Sequence, residues 1–178
     1  GQMGYSMKHR EARSSGIVID IPKTGRNDRK KGIENRTGRI TMLCNEGIYG
    51  RLRERTAHDS KKRLIWILDP NTDSKNICCT TSVTTETESL RLFFDRHNNR
   101  IKYFYEEVTA AANLWTTELH LSYYRLLGQD ERSKASGMRF LGDDKMSIGK
   151  SCAGFRFAGD FCDRYWTCYV LETESNNK

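Results

Sequence analysis

Two groups of residues in this chain have the types and spacing to do chemistry. The first is the run KTGRNDRKKGIENRTGR, which gathers Lys23, Arg26, Arg29, Lys30, Lys31, Arg36 and Arg39. Closely spaced Lys and Arg attract phosphate, whether on a nucleic acid or on an anionic lipid headgroup. Tyr49 and Arg51 follow shortly after, a ring and a guanidinium that can stack on bases or complete such a ligand set. The second group is thiol and imidazole. Cys152, Cys162 and Cys168 with His120 or His97 have the donor types of a tetrahedral zinc site, although the close cysteine pairing of familiar zinc motifs is missing. Cys78 and Cys79 are adjacent and, on a strand, point to opposite faces. There is no Gly-flanked serine elbow and no glycine loop leading from a strand into a helix. Glu118 and His120 stand two apart, and on a helix they diverge. These observations point to binding and not to bond-making, with no enzyme activity and no cofactor.

The charge balance supports that emphasis. The net charge is +7, and from Gly1 to Arg63 there are 16 Lys and Arg against 7 Asp and Glu, while the remainder carries 14 against 16. The basic character belongs to the first third of the chain and suits phosphate-bearing partners. With 37% hydrophobic and 30% charged residues the chain reads as one globular domain with some decoration, and it holds no apolar run long enough to cross a bilayer. The opening GQMGYSMKHR lacks the apolar centre of a secretion signal, and the six scattered cysteines read as reduced and mostly buried. The expected location is cytoplasmic, with peripheral membrane contact as the only membrane role.

The elements that must position these residues come next. GIVID, RITMLC, IYGRLR, RLIWILD, NICCTTSV, SLRLFFD and RIKYFYE read as seven strands in succession, with a hairpin at Asn45–Gly47 and a tight reversal at Asn98 and Asn99. From Glu107 the apolar positions Val108, Ala111, Ala112, Trp115, Leu119, Tyr123 and Leu126 follow helical spacing, and Gly128 stands as a C-cap. On that helix Trp115, Leu119 and Tyr123 form the buried stripe, and Thr116, Thr117, His120 and Tyr124 the other side. FRFAG and YWTCYVLE read as two further strands. The predicted fold is α+β, a seven-stranded antiparallel sandwich or barrel capped by one C-terminal amphipathic helix with a further β extension. Residues 1–15 read as a flexible N-terminal segment, 16–128 as the domain and 129–178 as an extension packed on it.

RIKYFYEEVTAAANLW resembles the end of a pleckstrin homology (PH) domain, where a strand of aromatic-x-aromatic pattern precedes acidic residues and a helix bearing a tryptophan, here Trp115. RITMLCNEGIYG is similar to that family's second hairpin, with Gly47 and Tyr49 in the turn and after it. AANLWTTELHLSYYRLL and FRFAGD resemble, more narrowly, the PH-like third lobe of FERM domains. The resemblance covers about residues 16 to 128. It implies a PH-like scaffold, with KTGRNDRKKG in the loop where phosphoinositide-binding members gather their basic residues.

The resulting expectation is an adaptor with two ligand modes. One is a phosphoinositide or anionic membrane surface held by the basic residues named above. The other is an extended peptide of a protein partner, added as a strand along NICCTTSV and resting against the helix, with Cys79, Thr81, Thr117, His120 and Tyr124 as its groove. The alternative is a nucleic-acid-binding domain using the basic first third, with a Cys/His zinc site.

Overall fold

The computed structural model describes residues 14–21, 41–53, 62–110, 113–127, 139–141, 146–160, 162 and 164–173. Strand β1 (Ser15–Ile21) pairs antiparallel with the two-residue β2 (Leu43–Cys44) on one side and with β3 (Lys62–Leu68) on the other. Strands β4 (Tyr103–Thr109), β5 (Leu114–Leu127) and β7 (Met146–Asp160) form an antiparallel meander, and β8 (Trp166–Thr173) lies between β7 and β3, parallel to β3. The order across the sheet is β2-β1-β3-β8-β7-β5-β4, and β6 (Arg139–Leu141) pairs with β7 beyond the end of β8. Helices α1 (Asn45–Arg53), α2 (Thr72–Thr81) and α3 (Thr84–Asn98) pack against one another, α1 on β1 and α3 on β7 and β5.

The fold expected from the sequence is thereby corrected. In place of a seven-stranded antiparallel PH-like sandwich or barrel with one capping helix, there is a single open mixed sheet of eight strands with one parallel pair and three helices. Of the seven expected strands, GIVID, RLIWILD and most of RIKYFYE are strands, and RITMLC contributes only the two-residue β2 at its end, its first two residues lying outside the described residues. IYGRLR and SLRLFFD are helical, as is NICCTTSV to Thr81, and the segment expected to be the capping helix is the end of β4, with Val108, and the 14-residue β5.

Each difference has a local cause. Asn71 opens α2 with a capping box: its side chain accepts from the Ser74 N–H at 2.9 Å while the Ser74 hydroxyl accepts from the Asn71 N–H at 2.9 Å. That box converts DPNTDS from a turn between strands into a helix start. In α3 the buried residues are Leu90, Phe93, Phe94 and His97, spaced i, i+3, i+4 and i+7, which the short window SLRLFFD conceals. Ile48 and Leu52, one turn apart on α1, likewise both reach the core. The LWTTELHLSYYRLL segment fits helical and alternating spacing alike, and it becomes a strand because β4 and β7 pair with its two edges.

One face of the sheet carries the core. Val18, Ile65, Ile67, Tyr169 and Leu171 share it by register, and Ile48, Leu52, Cys78, Leu90, Phe93 and Phe94 close over them from the helices. Each large side chain so buried contributes about 1.5–3 kcal/mol. The opposite face is also apolar, and Trp66, Leu121, Tyr123 and Phe155 on it remain 37–52% exposed. Trp115, expected in the buried stripe of a helix, lies on this second face, half-buried, with its indole N–H on Glu106 at 3.0 Å.

The expected reversal at Asn98 and Asn99 is instead the end of α3. Asn98 is its last residue, and Arg100 takes the left-handed conformation at φ 53°. Arg100 N–H donates to the His97 carbonyl and Ile101 N–H to the Arg96 carbonyl, both at 3.0 Å, which is a Schellman termination normally filled by glycine. The left-handed region costs a non-glycine residue about 1 kcal/mol. Arg100→Gly should therefore raise the thermal midpoint by about 2–4 °C, measured by differential scanning calorimetry, and a lower midpoint would count against this termination.

Candidate functional site

Under α3 the sheet face changes character. Where β1, β3 and β8 present aliphatic residues, β5 and β7 present Glu118, His120, Cys152, Gly154 and Arg156 to the same side. Glu118 and His120 stand two apart, and on a strand this spacing puts both on one face. Glu118 Oε1 receives His120 Nε2 at 3.0 Å and Arg96 Nη1 at 2.6 Å, and Oε2 receives Arg156 Nη1 at 3.3 Å. Glu118 is 1% exposed. Burial by itself would raise its carboxyl, but the hydrogen bonds from His120 and Arg96 and the charge beside it outweigh that and hold it below the usual carboxylate range.

Arg96 and Arg156 each direct a bond at Glu118 and leave the rest of a five-donor fork for another acceptor. Arg96 lies over the Tyr103 ring at 4.1 Å, a cation–π contact that fixes its guanidinium. Tyr103 and Tyr105 stack at 6.3 Å on β4. Ser89, Leu92 and Arg96 of α3, these two tyrosines, Glu118 and Arg156 line a half-open cleft of about 250 Å³ where the helical layer stops short of β4. Two guanidinium groups against one carboxylate leave the cleft with a positive surplus.

Deeper under α3, His97 Nε2 sits 2.9 Å from Thr173 Oγ1 and 3.7 Å from Cys152 Sγ. His97 is 2% exposed, and its imidazole is pushed down to about 4 by burial first and then by His120 and Arg100. It is neutral at pH 7, so the Cys152–His97 contact lacks the imidazolium that would stabilise a thiolate.

The sequence-derived site residues distribute as follows. Lys23, Arg26, Arg29, Lys30, Lys31, Arg36 and Arg39 lie outside the described residues. Tyr49 and Arg51 are exposed on α1. Cys79 and Thr81 belong to α2, where the Thr81 hydroxyl bonds the Ile77 carbonyl at 2.7 Å. Thr117, His120 and Tyr124 are on β5, but Thr117 is on the sheet face away from the helices, His120 is buried beneath α3 and Tyr124 is 67% exposed. Because α2 is a helix with its own backbone bonds, it offers no strand edge, and these five residues do not line one groove. Cys152 and Cys168 face opposite sides of the sheet, which separates two members of the zinc set. Among the described residues no group of three or more His, Cys, Asp or Glu is arranged to hold a metal ion. All six cysteines are free thiols, Cys78, Cys152 and Cys168 buried. Among the described residues no helix is long and apolar enough to cross a membrane.

Arg96, Tyr103, Tyr105 and Arg156 stand in no site motif of the sequence. The two arginines stand 22 and 38 residues from Glu118, and only the strand register and the placement of α3 bring them to it. The alternation of Glu118 with His120 was the one available signal.

The lowered His97 imidazole has a consequence for stability. The unfolded chain binds a proton near pH 6.5 and the folded chain only near pH 4, so stability is full above 6.5 and falls as the pH drops through that window. The loss should approach roughly 3 kcal/mol. Urea denaturation from pH 7 to 4 should show this slope in the wild type and a flatter one in His97→Gln, and parallel slopes would refute the assignment.

No family model, no curated protein and no solved structure matches this chain.

Proposed function

We propose that the chain is a cytoplasmic, non-enzymatic binding module that receives an acidic group of an extended peptide in the Arg96–Arg156 cleft. The observation that carries this reading is the convergence of two partly used guanidinium forks on one buried carboxylate at the mouth of a small cleft. A guanidinium matches a carboxylate or phosphate through paired parallel N–H bonds, and it does so more strongly where water is partly excluded. The volume of about 250 Å³ suits a side-chain-sized group.

The adjoining strand supports a peptide as the bearer of that group. β4 ends the strand order, and among the described residues nothing pairs with its outer edge. From Phe104 to Thr109 all of its residues are exposed. A peptide added there would exchange backbone hydrogen bonds with β4 and direct alternate side chains to the face that holds Tyr103 and Tyr105. The β-augmentation mode expected from the sequence thus moves from NICCTTSV, which is helical, to β4. Free thiols at all six cysteines fit a reducing compartment.

Fluorescence anisotropy with peptide libraries, comparing acidic or phosphorylated members with their neutral isosteres, tests the reading. Acidic peptides should bind, and Arg96→Gln should weaken them by at least tenfold, since truncating one partner of a partly buried charge pair costs about 2 kcal/mol or more. If Arg96→Gln is silent while phosphoinositide vesicles or RNA bind with steep salt dependence, recognition belongs to residues 23–39 and the cleft reading fails.

A further inference from the structure

We infer that the Nδ1 atoms of His97 and His120 form a two-nitrogen site for a monovalent d10 metal ion, copper(I), in the space above Gly154. Both imidazoles are buried, 2% and 3% exposed, and neither Nδ1 has a hydrogen-bond partner. The two nitrogens approach one point. A Cβ built on Gly154 would lie 3.1 Å from His97 Nδ1 and 3.0 Å from His120 Nδ1, so it is the missing side chain of this glycine that opens the space between them.

The opposite ring nitrogens are already committed, which sets the tautomers. His120 Nε2 is 3.0 Å from Glu118 Oε1, a carboxylate that can only accept, so Nε2 carries the proton and, in the neutral ring, Nδ1 is the lone-pair nitrogen. His97 Nε2 is 2.9 Å from the Thr173 hydroxyl, a contact compatible with the same tautomer. A carboxylate or hydroxyl on the far nitrogen is the outer-shell arrangement that orients a metal-binding imidazole and raises its basicity. Phe93 lies 5.0 Å from the His120 ring and helps keep the space apolar.

Ligand number and charge choose the ion. Two neutral nitrogens do not complete the four-coordinate shell of zinc. Arg96 and Arg156 already exceed Glu118 by one positive charge, and Arg100 acts on His97 from the helix end, so a divalent ion is disfavoured twice over. Copper(I) accepts two imidazoles in line, adds a single charge and suits a dry pocket. Cys152 Sγ contacts His97 at Nε2, the side of the ring away from this site.

The test uses the full chain with Cys44, Cys79 and Cys162 replaced by Ser, because the less buried thiols would compete for copper. Copper(I) is supplied under reductant as its coloured bicinchoninate complex. One equivalent should leave the chelator for the protein, and nitrogen-15 NMR should show both Nδ1 resonances move on loading. His97→Gln and Gly154→Ala should each lower the affinity by 100-fold or more, with near-ultraviolet circular dichroism reporting the fold. Should Gly154→Ala fail to fold, His97→Gln alone decides. The inference is overturned if the chelator keeps the copper, if the variants take it up as well as the parent, or if the Nδ1 resonances behave as acceptors of a buried water only.

Discussion

The Glu118 carboxylate is the interaction on which the functional half of this structure depends. It is almost fully buried on β5, it is bonded to Arg96 from α3, Arg156 from β7 and His120 from its own strand, and it thereby ties the helical layer to two strands with directional bonds. A buried carboxylate without those partners would cost several kcal/mol. With them it becomes a locator, because α3 cannot slide along the sheet without separating Arg96 from its acceptor. The phenol ring beneath Arg96 restricts that guanidinium further. The cleft and the two-histidine space are both consequences of this one node, on its solvent side and its interior side.

The helix-covered face is divided between two kinds of cohesion. Around β1, β3 and β8 it is held by non-directional apolar burial, with Ile65, Ile67, Leu171, Phe93 and Phe94 as the bulk of it. Around β5 and β7 it is held by hydrogen bonds and ion pairs. Apolar burial supplies stability in proportion to area, whereas a hydrogen-bonded charge cluster contributes little net stability and much geometric definition. The placement of β8 matters here. Lying between β3 and β7, it joins the apolar half to the polar half, and Thr173 at its end supplies the hydroxyl that meets His97.

The opposite face reverses the usual expectation. Trp115, Leu119, Leu121 and Tyr123 of β5 point there, while Glu118 and His120 of the same strand point to the helices. Apolar residues on β5 are thus more exposed than its polar ones, because α3 brings partners for Glu118 and His120, and among the described residues no helix covers Leu121 or Tyr123.

By itself the amino-acid sequence determined the strands whose stability is local in origin. GIVID, RLIWIL, FRFAG and YWTCYVLE are short runs of β-branched and aromatic residues bounded by turn residues, and each is a strand. It also carried the α2 cap and the α3 stripe, although a strand reading of ICCTTSV and LRLFF hid them, since brief apolar windows fit both periods. Only the tertiary structure decided the state of LWTTELHLSYYRLL, whose spacing serves a helix or a strand equally until β4 and β7 pair with its edges. That decision also made the site: on a helix Glu118 and His120 diverge, on a strand they share a face, and Arg96 and Arg156 arrive there from distant parts of the chain through sheet register and helix packing.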